Sequence, residues 1–383
     1  MRFKIFLPYI IFFSCFIGIM MVACTKQPVE EIHIGYIGPL TTRATDLGMD
    51  PSRAMEMAVQ QYNENREDEQ PEVILHVEDD QWDAKKTLEA YHNMRFQHNI
   101  KVVFVSNSDG TVALQETIKK DQVILINPLN NDEHLSALNK NTFKIGKTTE
   151  EAHLVVGIRI IEMGLKHVAV LHYPNNFMTL SSMVVKNLLD AHGVKNDVIE
   201  IKKEQTDFKE LMAICKKNEH DGLVFFGYKN LGFAMKQARD IGLNVPFFGS
   251  TVLSDPAYFK NSQGAIVNTE CTYFSEKDGN PILAKQFLTD FVATYGKKPV
   301  SVWPAMQAFD SMNILLQQIH KINEESNFKK QAFDVWLRNH LFKVRGFRGV
   351  CGNISILEDG SSRGIYFSLY TYTSEGTFTK VEQ

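Results

Sequence analysis

Short apolar runs alternate with amphipathic helical stretches along this chain, and that order is the strongest constraint on its fold. Residues 32–38 are almost wholly apolar and run into Gly38-Pro39, as a buried strand entering a loop does. Helical spacing follows over 51–61, where Ala54, Met55, Met57 and Ala58 share related faces and Pro51 suits a first turn. Strands are expected at 72–77, 102–105 and 123–126, with helices at 83–97, capped by Asp83, and at 111–120. The series then repeats. Strands at 167–171, 198–201, 223–227 and 246–249 alternate with helices at 180–191, 207–217 and 232–239. Such alternation builds parallel sheets covered by helices on both faces. The fold class is therefore α/β, with two doubly wound lobes of similar size. An extended segment at 263–274 follows, then helices at 282–295, 306–320 and 332–340, and two antiparallel tail strands at 352–356 and 365–372.

Composition limits function more than fold. Charged residues make up 22% of the 383 residues and the formal net charge is −4, so no basic surface points to nucleic acid as a partner. The first 23 residues stand apart. Arg2 and Lys4 open them, no other charge occurs before Lys26, and the run ends Met21-Val22-Ala23-Cys24. That ending resembles the lipobox of bacterial lipoproteins, in which a Cys is acylated and the leader removed. Residues 1–23 are read as the signal peptide, Cys24 as the lipidated residue, and 24–30 as a polar tether to a membrane surface. Five cysteines occur in all. The sequence leaves open whether Cys271 and Cys351 pair, and Cys215 reads as a buried thiol.

Ligands on doubly wound sheets bind at the carboxyl ends of strands, so any catalytic groups are expected there. No G-x-S-x-G elbow and no H-E-x-x-H is present. Gly146-Lys147-Thr148 ends like a phosphate-binding loop, but Asn141 stands where the first Gly is needed. Asp132-Glu133-His134 reads as a solvated loop entering a helix rather than a metal set, and Glu78-Asp79-Asp80 with Asp83 as a strand-end turn plus a helix cap. The remaining strand-end residues are polar without being nucleophilic: Ser108 and Asp109, then Asn130 and Asn131, and from the second lobe Phe177, Tyr228 and Thr251. Convergent polar groups facing aromatics suit a small-molecule site. No enzyme activity, cofactor or metal is implied.

These residues resemble the branched-chain amino-acid type of periplasmic binding protein. The opening Ile34-Gly35-Tyr36-Ile37-Gly38-Pro39-Leu40 with Gly48 is similar to that family's start, as are residues 54–63 and Asp79-Asp80 with Asp83-Ala84. Residues 102–128, through Ser108 to Pro128, match it without a gap. Met235-Lys236-Gln237-Ala238-Arg239 with Gly242, Ala308-Phe309-Asp310, Gly349 with Gly352, and Asp359-Gly360 follow in its order. The resemblance implies two Rossmann-like lobes joined by three hinge strands, the type I periplasmic binding protein fold. The first lobe would hold 31–147 plus 273–348 and the second 148–272 plus 349–383, with hinges near 146–149, 268–273 and 349–353. It implies that Ser108 and Asn131 hold a ligand carboxylate, that Phe177 forms an aromatic wall, and that Tyr228 contacts the ligand. Two departures matter. Thr251 stands where the family places an acid to pair with a ligand ammonium, and Leu47 replaces an aromatic. An amino-acid ligand would then need Asp109, Asp46 or Asp255 for its charge.

The sequence therefore predicts a lipid-anchored, non-enzymatic solute-binding protein of the cell envelope, facing the periplasm or exterior. It would deliver a small polar or amphipathic, amino-acid-like ligand to an ABC permease. Two alternatives share the fold: a ligand-sensing partner of a membrane signalling protein, and a lipoprotein that activates a cell-wall enzyme by contact. The anchor gives the first prediction: Cys24→Ala leaves the protein without lipid and its leader uncleaved, read by labelled-fatty-acid incorporation. Normal labelling of the variant would refute the lipobox.

Overall fold

The structure is a computed structural model that describes residues 31–41, 45–129, 134–202, 204–275, 277–323 and 332–382. The leader, Cys24, Asn130, Asn131, Asp132 and Glu133 lie outside these. Among the described residues, no helix is long and apolar enough to cross a membrane.

The first sheet holds β1 (Glu31–Gly38), β2 (Glu72–Asp79), β3 (Val102–Val105), β4 (Ile124–Asn127) and β5 (Thr142–Lys144), in the order β2-β1-β3-β4-β5. Every pairing is parallel. Side chains leave a strand on alternate faces, so β3 feeds two cores. Val102 and Phe104 pack with helix Val302–His320, whereas Val103 and Val105 pack with Tyr91 and Met94 of helix Ala84–His98. Burial on both faces is why these strands read as unbroken apolar runs. Asp83 caps that helix as expected, its carboxylate accepting the Lys85 and Lys86 amides at 3.0 Å each.

The second sheet holds β6 (His167–His172), β7 (Lys195–Glu200), β8 (Gly222–Phe226), β9 (Phe247–Gly249) and β10 (Glu270–Tyr273). These five run parallel, in the order β10-β9-β8-β6-β7. Between them and the C-terminus come β11 (Phe347–Arg348), β12 (Gly352–Ile356), β13 (Ser362–Ile365), β14 (Ser368–Tyr372) and β15 (Phe378–Lys380). β14 joins β10 antiparallel and β15 pairs β14, widening the second sheet to seven strands. β11, β12 and β13 form a small antiparallel sheet of their own.

That small sheet corrects the expected division of the chain. The resemblance implies that residues 349–383 belong together to the second lobe. Instead Val350, Cys351, Ile354, Ile356 and Ile365 are buried in the first core, and the second core takes Leu369, Tyr370 and Tyr372, with Phe378 and Val381 packed against it. The physical anchor is the buried carboxylate of Asp310, which accepts the Val350 and Cys351 amides at 2.7 Å each. Gly349 lies so close that a Cβ there would stand 2.5 Å from Asp310 Oδ2. The third crossing therefore falls between Ile365 and Leu369, and the tail strand expected at 365–372 is divided between the lobes. The first crossing lies between Ile145 and Val156, and the second between Cys271 and Phe274.

The first and third crossings are tied side by side. Ser362 Oγ donates to the Gly146 carbonyl and accepts its amide, both at 3.0 Å. Glu151 accepts the Gly364 amide at 2.8 Å. Cys271 and Cys351 belong to different cores and are free thiols, as is Cys215, and all three are buried. Burial pushes the Cys215 thiol up to about 11.

Ile356→Ala tests the revised boundary. The first core should lose about 2–5 kcal/mol, read as a lower denaturation midpoint, with hydrogen-exchange protection falling in β1–β5 before β6–β10.

Candidate functional site

Both sheets turn the carboxyl ends of their parallel strands toward one another, and a cavity of about 380 Å³ lies between them. Ser106 and Ser108 follow β3, Leu129 follows β4, and Lys147 follows β5. Phe177 and Met178 come after β6, Tyr228 after β8, and Thr251 with Val252 after β9. Leu47, Trp82 and Trp303 complete the wall from the first lobe. Thus Ser108, Phe177, Tyr228 and Thr251, singled out in the sequence, are brought together. Asp109 is not: it is exposed, and the helix cap is Asn107, whose side chain accepts the Asp109 amide at 3.0 Å. Asp255 instead caps helix Pro256–Ser262, accepting the Ala257 amide at 2.8 Å, and Asp46 accepts from Ser301 Oγ at 3.2 Å. Among the described residues, no carboxylate lines the cavity.

Among the described residues its one charged wall residue is Lys147, which the sequence presents only as part of an incomplete phosphate loop and a hinge. The residue is buried, and its Nζ sits 3.5 Å from the centroid of the Trp303 ring. Its backbone is fixed by its neighbours: the amide donates to Gln307 Oε1 at 2.8 Å and the carbonyl accepts Lys144 Nζ at 2.7 Å. Burial, and then repulsion from Lys144, push the Lys147 amine down to about 7. A cation–π contact offsets only part of that desolvation. The available signal was a lone Lys at a strand end beside an aromatic-rich chain, which is too common to single out.

The aromatic walls are positioned from behind. The Phe177 ring lies 5.9 Å from His153, which burial pushes down to about 4; Lys147 adds to that shift and the bond to the Thr149 carbonyl opposes it. His153 is thus a neutral packing group. Tyr228 stands edge-on to Tyr173 at 4.9 Å and accepts from Asn175 Nδ2 at 3.1 Å. Trp82 reaches the cavity through two successive left-handed residues, Gln81 at φ +50° and Trp82 at φ +61°. The strained turn is held by carboxylates: Asp79 Oδ1 accepts the Gln81 amide at 3.0 Å and Asp80 Oδ1 the Trp82 amide at 2.9 Å. This is the turn expected from Glu78-Asp79-Asp80. A hydroxyl pair deepens the polar end, with Ser106 Oγ 2.9 Å from the buried Tyr36 hydroxyl.

A second groove of about 480 Å³ lies on the first lobe between helices Pro281–Tyr295 and Val302–His320. None of the residues singled out for ligand binding lines it, and its buried carboxylate, Asp310, is already engaged by the Val350 and Cys351 amides.

The model of one protein family, described as periplasmic binding protein, matches residues 31–362. The chain belongs to the periplasmic binding protein family. Members of this family are solute-binding proteins. Solved structures share its fold at low identity. A leucine-binding protein, LivK, from Thermotoga maritima superposes with a TM-score of 0.73 at 17% identity, covering 92% of this chain and 98% of that one. LivJ from Streptococcus pneumoniae, solved with isoleucine, gives 0.70 at 17%, covering 92% and 100%. A solute-binding protein from Rhodopseudomonas palustris, solved with 3,4-dihydroxybenzoic acid, gives 0.72 at 16%, covering 92% and 96%. The search of curated proteins returned no match. In this periplasmic binding protein the type I fold expected from sequence is therefore present, with a cavity at the facing carboxyl ends of the strands.

Lys147 gives a prediction of its own. An amine whose folded value lies below its unfolded value costs stability at low pH, and the cost fades as pH rises from about 7 toward 10.5. Lys147→Met should therefore raise the melting temperature of the free protein more at pH 6 than at pH 9, by differential scanning calorimetry.

Proposed function

We propose that this chain is a lipid-anchored solute-binding protein that captures an apolar or aromatic carboxylate between its lobes for an ABC-type permease. One observation carries the ligand class. The cavity holds a buried ammonium with no hydrogen-bonding or ion-pair partner among the described residues, and no carboxylate there to receive a ligand ammonium. A carboxylate supplies the counter-ion that Lys147 lacks, and Ser108 and Thr251 supply hydroxyl donors. Trp82, Trp303, Phe177 and Tyr228 suit a flat or branched apolar body. Among the structural relatives one is solved with 3,4-dihydroxybenzoic acid and another with benzoate, beside a leucine-binding protein and one solved with isoleucine. Closure of the lobes about the three crossings would bury the ligand and present the closed surface to the permease. Acylation at Cys24 would hold the body close to the membrane, with only the short 24–30 segment before β1.

The test is a thermal-shift screen of the leaderless protein against aromatic and aliphatic carboxylates and the matching amino acids, with hits confirmed by calorimetry. A ligand at 100 times its Kd adds about 2.7 kcal/mol of stability. Carboxylates without an ammonium should bind better than their amino-acid counterparts, and the reverse order would refute the assignment. Because the ligand must find Lys147 charged, affinity should stay level below pH 7 and fall by up to about tenfold per pH unit above it. Lys147→Met should abolish that dependence. Ser108→Ala should weaken binding by about 1–3 kcal/mol.

A further inference from the structure

The second sheet carries a cluster at its far end, away from the cleft. His167 opens β6, Asp197 lies on the edge strand β7, and His220 lies two residues before β8 begins. β6 is hydrogen-bonded to both neighbours, so three adjacent strands bring these residues together. His167 Nε2 lies 3.0 Å from Asp197 Oδ2, and His220 Nε2 lies 2.8 Å from the same oxygen. The two rings are 4.0 Å apart between centroids.

The proton count makes this arrangement unusual. His167 Nδ1 is 3.1 Å from the Asn218 carbonyl, and His220 Nδ1 is 3.1 Å from the Cys215 carbonyl. A carbonyl only accepts, so both Nδ1 atoms carry hydrogen. In a neutral ring Nε2 is then a lone pair, and here two lone pairs face a carboxylate oxygen, which also only accepts. Either two imidazolium rings stack beside one carboxylate, or a cation stands between the three groups. The geometry favours the cation. Metal-bound histidines characteristically give their other N–H to a carbonyl, which fixes ring and tautomer. Four-coordinate zinc with bonds near 2.0–2.1 Å spaces its donors about 3.3 Å apart, and the three donor atoms here all lie within 4.8 Å of one another. Burial is graded as entry requires: the His220 side chain is 1% exposed, that of His167 13% and that of Asp197 42%.

We propose that His167, Asp197 and His220 form a binding site for a divalent transition-metal ion of the zinc type, with solvent completing its coordination. It would clip the edge strand β7 to β6 and to the turn that ends helix Lys209–Lys217. Lying opposite the strand ends that line the cleft, it would act on the stability of the second lobe and leave ligand capture alone.

The test uses the EDTA-stripped protein and zinc chloride alone, followed by isothermal titration calorimetry and thermal melts. One saturable equivalent should bind and raise the melting temperature. Asp197→Asn, nearly isosteric and half-exposed, and His167→Gln should each weaken zinc binding at least tenfold while leaving the far-ultraviolet circular dichroism of the metal-free protein unchanged. Absence of saturable binding to the native chain would overturn the site. So would binding that survives both substitutions, as it would if zinc were held by the His33, His76 and His98 rings stacked on the first lobe. NMR titration showing both rings as imidazolium at neutral pH, indifferent to zinc, would overturn it too.

Discussion

A parallel sheet buried on both faces has only its ends left for polar chemistry. Most of this molecule follows from that constraint. The apolar runs of β3, β4 and β8 are fully buried, so they offer no side chain to a ligand. Polar groups appear where the strands stop: Ser106 and Ser108, Lys147, Tyr228 and Thr251. Setting two such sheets end to end turns two rims into the walls of one cavity. The cost is concentrated at Lys147, whose ammonium is withdrawn from water and faces an indole in place of a counter-ion. In the proposed function a bound carboxylate would supply that counter-ion.

The crossings deserve the same physical reading. They are neither loose nor independent. Ser362 grips Gly146 from both sides, Ser311 Oγ donates to the Ile145 carbonyl at 2.6 Å, and Lys144 spans to the Lys147 carbonyl. Lys147 is thus fixed at the joint itself, where bending of the lobes and the charge of the cavity meet. Any rotation of the first crossing reorients the ammonium along with the backbone that bears it.

Much of this was legible in the sequence. Strand periodicity located both sheets, because burial on two faces leaves an unmistakable apolar run. Asp83 was readable as a cap because its role is local. The resemblance to binding proteins pointed to Ser108, Phe177, Tyr228 and Thr251, which do share one cavity. Two things were hidden. The destination of residues 349–365 depends on Asp310, some forty positions earlier in the chain, and no local pattern reports a carboxylate that reaches across a fold. Lys147 and Trp303 were hidden for the same reason: their contact joins a strand end to a helix that begins more than 150 residues later. The expected charge from Asp109 failed because the better cap, Asn107, took the helix start and left Asp109 facing solvent.

The late third crossing also sets the order in which the protein can be completed. The first core unites Ile32 with Ile365, and the second sheet takes in β14 and β15 from the last sixteen residues of the chain. Both cores are therefore completed by residues from the end of the chain. Such dominance of distant contacts slows folding.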